Sequence, residues 1–265
     1  MGRSAAESGA AMGAASRAGR GRRQAGGREE RMRATGAKRE AGMESAAAVG
    51  ILGGTFDPIH NGHLHLAKEL YRGGQFREIR ILPVGKPPHR PPPFASAARR
   101  EAMVREAIAG CRGLILDSRE LRGRAPSYTV NTIYELRDEF EGTPLCLIVG
   151  SDAFHGFRTW RDWRRILKHT GVLVVDRPAA AGDRPVVQPL LPAPLAELLQ
   201  HPDPQDAASL RLPPAGQVAR VAIGALDIGS TQLRRWLRGG YAADAERLLP
   251  PPVYRYIRQH RLYGT

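Results

Sequence analysis

Two histidines three residues apart, His60 and His63, close the segment Gly53-Gly54-Thr55-Phe56-Asp57-Pro58-Ile59-His60-Asn61-Gly62-His63. Glycines let a backbone come close to a bulky anion, and imidazole N–H groups donate hydrogen bonds near neutral pH. A helix starting beside them would aim its free N-terminal amides at the same anion. The chemistry these types suit is phosphate binding, with donors that stabilise charge spreading over phosphate oxygens. Zinc is the rival chemistry for paired histidines. No cysteine or acidic–histidine pair nearby completes a tetrahedral set, so no metal site is assigned. A second cluster, Ser230-Thr231-Gln232-Leu233-Arg234, offers two hydroxyls and, one turn on, a guanidinium. Helix capping by Ser230 and Thr231 is the plain reading of that cluster. Convergence with the histidine turn on one anion is the functional reading.

The elements around these clusters must bring them together. The apolar run Ala48 to Leu52 reads as a buried strand, and Leu64 to Tyr71 as an amphipathic helix. Further strands are expected at 78–84, 114–116, 145–149, 172–175 and 218–223. Between them stand a proline-dense loop at 85–93, a helix capped by Ser96, a helix capped by Thr129, and a helix carrying Trp160, Trp163, Ile166 and Leu167. Residues 178 to about 215 read as a long connection with one short helix at 195–199, and helices at 232–238, 243–248 and 253–260 close the chain. Strands alternating with helices imply an α/β fold: a Rossmann-like parallel sheet flanked by helices, with a C-terminal helical segment. Ligands of such sheets bind beyond the carboxyl ends of the strands. The histidine turn, the 85–93 loop, the Gly150-Ser151-Asp152 turn and the segment after Ile223 all fall at that edge.

Residues 1–45 are mostly Ala, Gly, Arg, Glu and Ser, with no aromatic residue. They are expected to be a disordered extension, and residues 46–265 one globular domain. Glu7, Glu29, Glu30, Glu40 and Glu44 argue against an organellar transit peptide, and Met43 is the expected functional start. The net charge is +14, and ten basic against five acidic residues in the first 45 leave nine of those charges to the rest. Such a surplus suits nucleotides or nucleic acid. The arginines of the folded part are scattered, however, with no basic run interleaved with aromatics, which disfavours a nucleic-acid-binding protein. No apolar run is long enough for a membrane span. Cys111 and Cys146, without metal-type spacing, point to the cytoplasm.

With these motifs in place, the sequence resembles the nucleotidyltransferase superfamily with the HxGH signature, and within it the bacterial nicotinate-nucleotide adenylyltransferases. The likeness spans residues 48–263 and rests on the histidine segment, Lys86-Pro87-Pro88-His89-Arg90, Ser127-Tyr128-Thr129-Val130-Asn131-Thr132, Gly150-Ser151-Asp152, Thr159-Trp160 and Ser230-Thr231…Arg234. It implies adenylyl transfer from ATP to nicotinate mononucleotide, giving nicotinate adenine dinucleotide and pyrophosphate, by direct attack on the α-phosphorus. On that likeness His60 and His63 are catalytic. Gly53, Gly54, Thr55, Phe56, Asp152, Ser230, Thr231 and Arg234 bind ATP; Lys86, Arg90, Tyr128, Thr129 and Trp160 bind the mononucleotide, Trp160 by stacking on the pyridine. Mg²⁺ would ride on the ATP phosphates. Gly229, Asn131 and Arg90 stand where the family often has Ser, Asp and Lys, which touches fine substrate contacts and not the reaction class. Nicotinamide mononucleotide and phosphopantetheine adenylyltransferases are the nearest enzymatic alternatives.

Overall fold

Successive apolar residues run along the first strand from Ala48 to Leu52, so both of its faces can be packed. Val49 and Ile51 point to one side; Ala48 and Leu52 point to the other. The same two-sided burial runs through Leu145, Leu147 and Val149 against Cys146 and Ile148, as expected for a central parallel strand. A computed structural model describes residues 47–87, 91–123, 126–176, 195, 197–198, 205–206, 210–224 and 228–265. By its internal contacts the chain divides into Met1–Ala46 and Ala47–Thr265, and every described residue belongs to the second unit. The expected extension at 1–45 therefore lies outside the described residues.

The strands are β1 (Ala48–Gly54), β2 (Phe76–Pro83), β3 (Leu114–Leu116), β4 (Leu145–Gly150), β5 (Gly171–Asp176), β6 (Gln205–Asp206) and β7 (Val218–Ala222). They form one sheet in the order β3-β2-β1-β4-β5-β7-β6, with every pairing parallel. The helices are α1 (Asn61–Arg72), α2 (Ala97–Ile108), α3 (Arg119–Arg122), α4 (Thr129–Glu139), α5 (Ser151–His155), α6 (Trp163–His169), α7 (Ser230–Arg238), α8 (Ala242–Leu248) and α9 (Pro251–Gln259). One apolar layer packs Leu64, Ala67 and Leu70 of α1, Met103 and Val104 of α2 and Leu233 of α7 over Ile79, Ile148 and Leu173. The opposite layer packs Val130, Ile133 and Leu136 of α4 with Ile166 of α6 over Ile51, Leu147 and Val174. Each fully buried Val, Leu, Ile or Met side chain among these contributes about 1.5–3 kcal/mol. Among the described residues no helix is long and apolar enough to cross a membrane.

The chain order reverses between β1 and β4, which are neighbours in the sheet with Leu52 opposite Ile148. A crevice opens at such a switch point, beyond the strands' carboxyl ends. The loop after β1 carries the histidines and the turn after β4 carries Asp152, so the two flank that crevice.

Four local expectations need correction. The two-residue β6 adds a seventh strand inside the segment read as a connection, too short to leave an apolar signature. The expected 195–199 helix is not among the four, since it falls largely outside the described residues. The single helix expected around Trp160 and Trp163 is three pieces: α5, a 3₁₀ turn at Phe157–Thr159 and α6. Gly156 ends α5, and Asp162, at a φ of +52°, turns the chain into α6, so the two tryptophans do not share a helix. Thr129 is the first residue of α4 rather than its cap, and Tyr128 holds the cap position. Ser230 likewise opens α7 behind a Gly229 cap. Ser96, in contrast, does cap α2, accepting from the Arg99 N–H at 3.4 Å.

Candidate active site

The turn after β1 is built by its hydrophobic residues as much as by its glycines. Phe56 takes a left-handed φ of +47°, uncommon for a bulky residue, and its ring is 1 % exposed. That ring lies against Gly54, where an added Cβ would stand 2.9 Å from ring carbons, so residue 54 has no room for a side chain. Asp57 and Ile59 are buried beside it, and His60 occupies the N-cap of α1 with an extended backbone. His63 sits one turn on. Its Nδ1 accepts from the His60 backbone N–H at 3.3 Å, which leaves the ring proton of the neutral form on Nε2, a donor. The two imidazoles stack at 3.7 Å with a 28° interplanar angle, and Phe56 meets His63 edge-on at 5.0 Å. First-turn amides of α1 add further donors, because a helix leaves them without intrahelical partners.

Gly53, half-turned into solvent, and Thr55 complete this turn. The Thr55 carbonyl accepts from Arg100 Nη1 at 2.9 Å, and the Gly85 carbonyl after β2 accepts from Arg100 Nη2 at 3.4 Å. One buried guanidinium thus ties together the loops after β1 and β2. Burial lowers the Arg100 pKa, with Asp57 opposing that shift through its charge. Arg100 belongs to no motif, although its position leaves a signal in the sequence. It stands on the apolar stripe of α2, in step with Met103, Val104 and Ala107.

The Ser230 cluster reaches the same turn. Ser230 Oγ donates to the Pro58 carbonyl at 3.0 Å, and Arg234 Nη1 donates to the Asp57 carbonyl at 2.6 Å. Arg234 Nη2 donates to Thr231 Oγ1 at 3.1 Å. Two motifs about 170 residues apart are therefore bonded through main-chain oxygens of the histidine turn. The Arg234 guanidinium also lies 4.7 Å from the centre of the exposed Phe94 ring.

A second group of expected residues gathers elsewhere on this edge. Ser127 Oγ accepts from the Gly85 and Lys86 N–H groups at 3.1 and 3.3 Å, and Ser127 N–H donates to the Lys86 carbonyl at 3.0 Å. This fixes the Ser127-Tyr128-Thr129 corner against the Lys86 loop. The Arg161 guanidinium covers the Tyr128 ring at 4.6 Å, and its neighbour Trp160 packs on Phe157 at 5.2 Å. Tyr128 and Trp160 therefore belong to one surface. Asp152 stands exposed in the first turn of α5. Lys86 is exposed, while Arg90 and His89 lie outside the described residues.

Beneath the Lys86 loop, Glu120 accepts from Thr132 Oγ1 at 2.7 Å. Burial raises its carboxyl pKa, with the hydrogen bonds from Thr132, Ser127 and Gly85 acting the other way. A carboxyl raised on folding favours the native state while protonated, and that contribution is lost as pH rises through the folded value. Glu120→Gln should therefore gain melting temperature relative to wild type as pH climbs above the ordinary carboxylate range. Thermal melts between pH 4 and pH 8 measure this; a difference that shrinks with pH would contradict it.

A cytidylyltransferase-like family model matches residues 51–234. A probable nicotinate-nucleotide adenylyltransferase of Aeromonas hydrophila is 41% identical over 215 residues, covering 81% of this chain and 96% of its own. One from Pseudomonas entomophila is 42% identical over 225 residues, covering 83% and 98% respectively. Among solved structures, Plasmodium falciparum nicotinic acid mononucleotide adenylyltransferase complexed with NaAD matches with a TM-score of 0.60 at 15% identity. That match covers 82% of this chain and 97% of the other. Identity that low speaks for a shared fold.

Proposed function

We infer, from the premise that the chain belongs to the nicotinate-nucleotide adenylyltransferase family, that it transfers the adenylyl group of ATP to nicotinate mononucleotide. The products are nicotinate adenine dinucleotide and pyrophosphate, which places the reaction in NAD biosynthesis. The observation that carries this reading is the pair of hydrogen bonds from Ser230 and Arg234 to the Asp57–Pro58 main chain. It holds the Ser230-to-Arg234 cluster against the turn that carries His60 and His63, and such hydroxyls, guanidinium, imidazoles and helix-terminal amides are donors that suit a triphosphate.

A phosphate oxygen of the mononucleotide attacks the α-phosphorus of ATP, the bond from that phosphorus to the bridging oxygen breaks, and pyrophosphate leaves. Such a transfer needs positioning and charge stabilisation rather than a protein nucleophile. His60 and His63 meet the phosphate oxygens where charge grows, with the Gly53-to-Phe56 backbone shaping their cradle. Ser230, Thr231 and Arg234 hold the β and γ phosphates and steady the leaving group. Asp152, in the first turn of α5 just beyond β4, accepts from a ribose hydroxyl. Trp160 stacks on the pyridine, amides at Tyr128 and Thr129 meet its carboxylate, and Lys86 and Arg90 serve to bind the acceptor. The nucleotide enters as its magnesium complex, the ion being carried on phosphate oxygens. Among the described residues no group of three His, Cys, Asp or Glu side chains is placed to hold a metal. Two free cysteines, Cys111 and Cys146, fit a cytoplasmic enzyme.

Pyrophosphate release tests this reading. With ATP, turnover is expected with nicotinate mononucleotide, less with nicotinamide mononucleotide and none with phosphopantetheine. No turnover with either mononucleotide would refute it. Tight, salt-sensitive binding of single-stranded nucleic acid without pyrophosphate release would point instead to a binding protein.

A further inference from the structure

We propose that Tyr263 is a positioning residue for the triphosphate end of the site: its hydroxyl, acting through Asp57, sets how far Arg234 is free to bind phosphate. The proposal rests on the reading that Arg234 meets the triphosphate of ATP.

Asp57 is 2 % exposed and its carboxylate is almost fully engaged. Oδ1 accepts from the Tyr263 hydroxyl at 2.7 Å and from the Ala95 N–H at 3.1 Å, and Oδ2 accepts from the Phe94 N–H at 2.7 Å. A carboxylate offers about four lone-pair sites, so three are filled by neutral donors. Arg234 Nη1 stays 4.0 Å from Oδ2, beyond hydrogen-bond reach, and donates instead to the Asp57 main-chain oxygen. The acid anchors the guanidinium by its field without occupying it. That is the arrangement a phosphate-binding arginine needs, since a charge-assisted bond to the carboxylate would compete with the ligand.

Tyr263 is held firmly for this role. It is buried, its backbone adopts a positive φ of 62°, and its hydroxyl oxygen lies 3.9 Å from Met103 Sδ. Burial and the neighbouring Asp57 charge raise its pKa, so the hydroxyl remains a neutral donor. Removing it leaves Oδ1 with an empty acceptor site in a carboxylate that is 2 % exposed. The guanidiniums near enough to answer that charge are Arg234 and Arg100, both of which already feel Asp57. Drawing Arg234 onto the carboxylate turns its donors away from the ligand.

Steady-state kinetics of the full chain carrying Tyr263→Phe test this. The KM for ATP should rise roughly 5- to 10-fold, the scale of one ordinary hydrogen bond, with the nicotinate mononucleotide KM within about twofold. In an Arg234→Ala background the same substitution should change the ATP KM by less than about twofold. A tyrosine that only holds the fold would weaken both backgrounds alike, or lower the melting temperature with both KM values unchanged. Either result overturns the proposal. Should the variant be too unstable for turnover assays, ATP titration followed by tryptophan fluorescence at low temperature reads the same difference, and unchanged affinity overturns it. If wild type transfers no adenylyl group, the functional reading fails by itself, while the ATP titration still decides the part played by Tyr263.

Discussion

His63→Ala should lower kcat by about 10²–10³, the usual cost of losing a donor to charge that develops in the transition state. The geometry makes this residue the more informative of the two histidines. Its Nδ1 is engaged by the His60 backbone N–H, so the ring is oriented by the main chain and presents Nε2. Phe56 meets it edge-on, and His60 stacks on its face. A ring fixed on one side by protein and carrying its proton on the other pays little reorganisation when charge appears on phosphate. The loss should fall mainly on kcat, because the interaction strengthens only as charge develops. The KM for ATP should move less. Rapid-quench single-turnover measurements separate the two, and near-normal rates with a raised KM would make His63 a ground-state binder instead.

Arg234→Ala should lower kcat/KM for ATP by about 10², since it removes a charge-assisted bond to phosphate together with the hydrogen bond that ties α7 to the Asp57 main chain. Arg234→Lys should recover little of this loss. An ammonium cannot donate at once to the Asp57 carbonyl, the Thr231 hydroxyl and a phosphate in fixed directions, as a planar guanidinium does. The KM for nicotinate mononucleotide should change little, because Tyr128, Trp160 and the Lys86 loop are built on β2, α4 and the α5–α6 connection. Full activity in Arg234→Lys would mean that Arg234 supplies charge alone.

The sheet was readable because its central strands are apolar on both faces, a pattern only a parallel sheet with helices on each side demands. The histidine turn was readable because glycine, histidine and strand-to-helix position coincide within eleven residues. The break-up of residues 151–169 was not. Trp160, Trp163, Ile166 and Leu167 keep helical spacing, yet the end of α5 at Gly156 and the left-handed backbone at Asp162 interrupt the run. Hydrophobic period carries no record of a single left-handed residue. Ser230 was readable as a residue at a helix start but not as one facing outward from it, because a hydroxyl one position inside the helix bonds elsewhere, here to Pro58. The polar layer beneath the turn was the least legible part. Asp57, Arg100 and Tyr263 are far apart in sequence, and their meeting depends on how α2 and the residues after α9 pack against one turn.

The central claim is that the adenylyl group passes straight from ATP to the mononucleotide, with the protein stabilising charge and forming no bond to phosphorus. The stereochemical course at that phosphorus tests it most directly. With the Sp diastereomer of ATP bearing sulfur on the α-phosphorus, the dinucleotide product should have inverted configuration, as a single in-line displacement requires. Retention would reveal an adenylylated side chain as an intermediate and contradict the account.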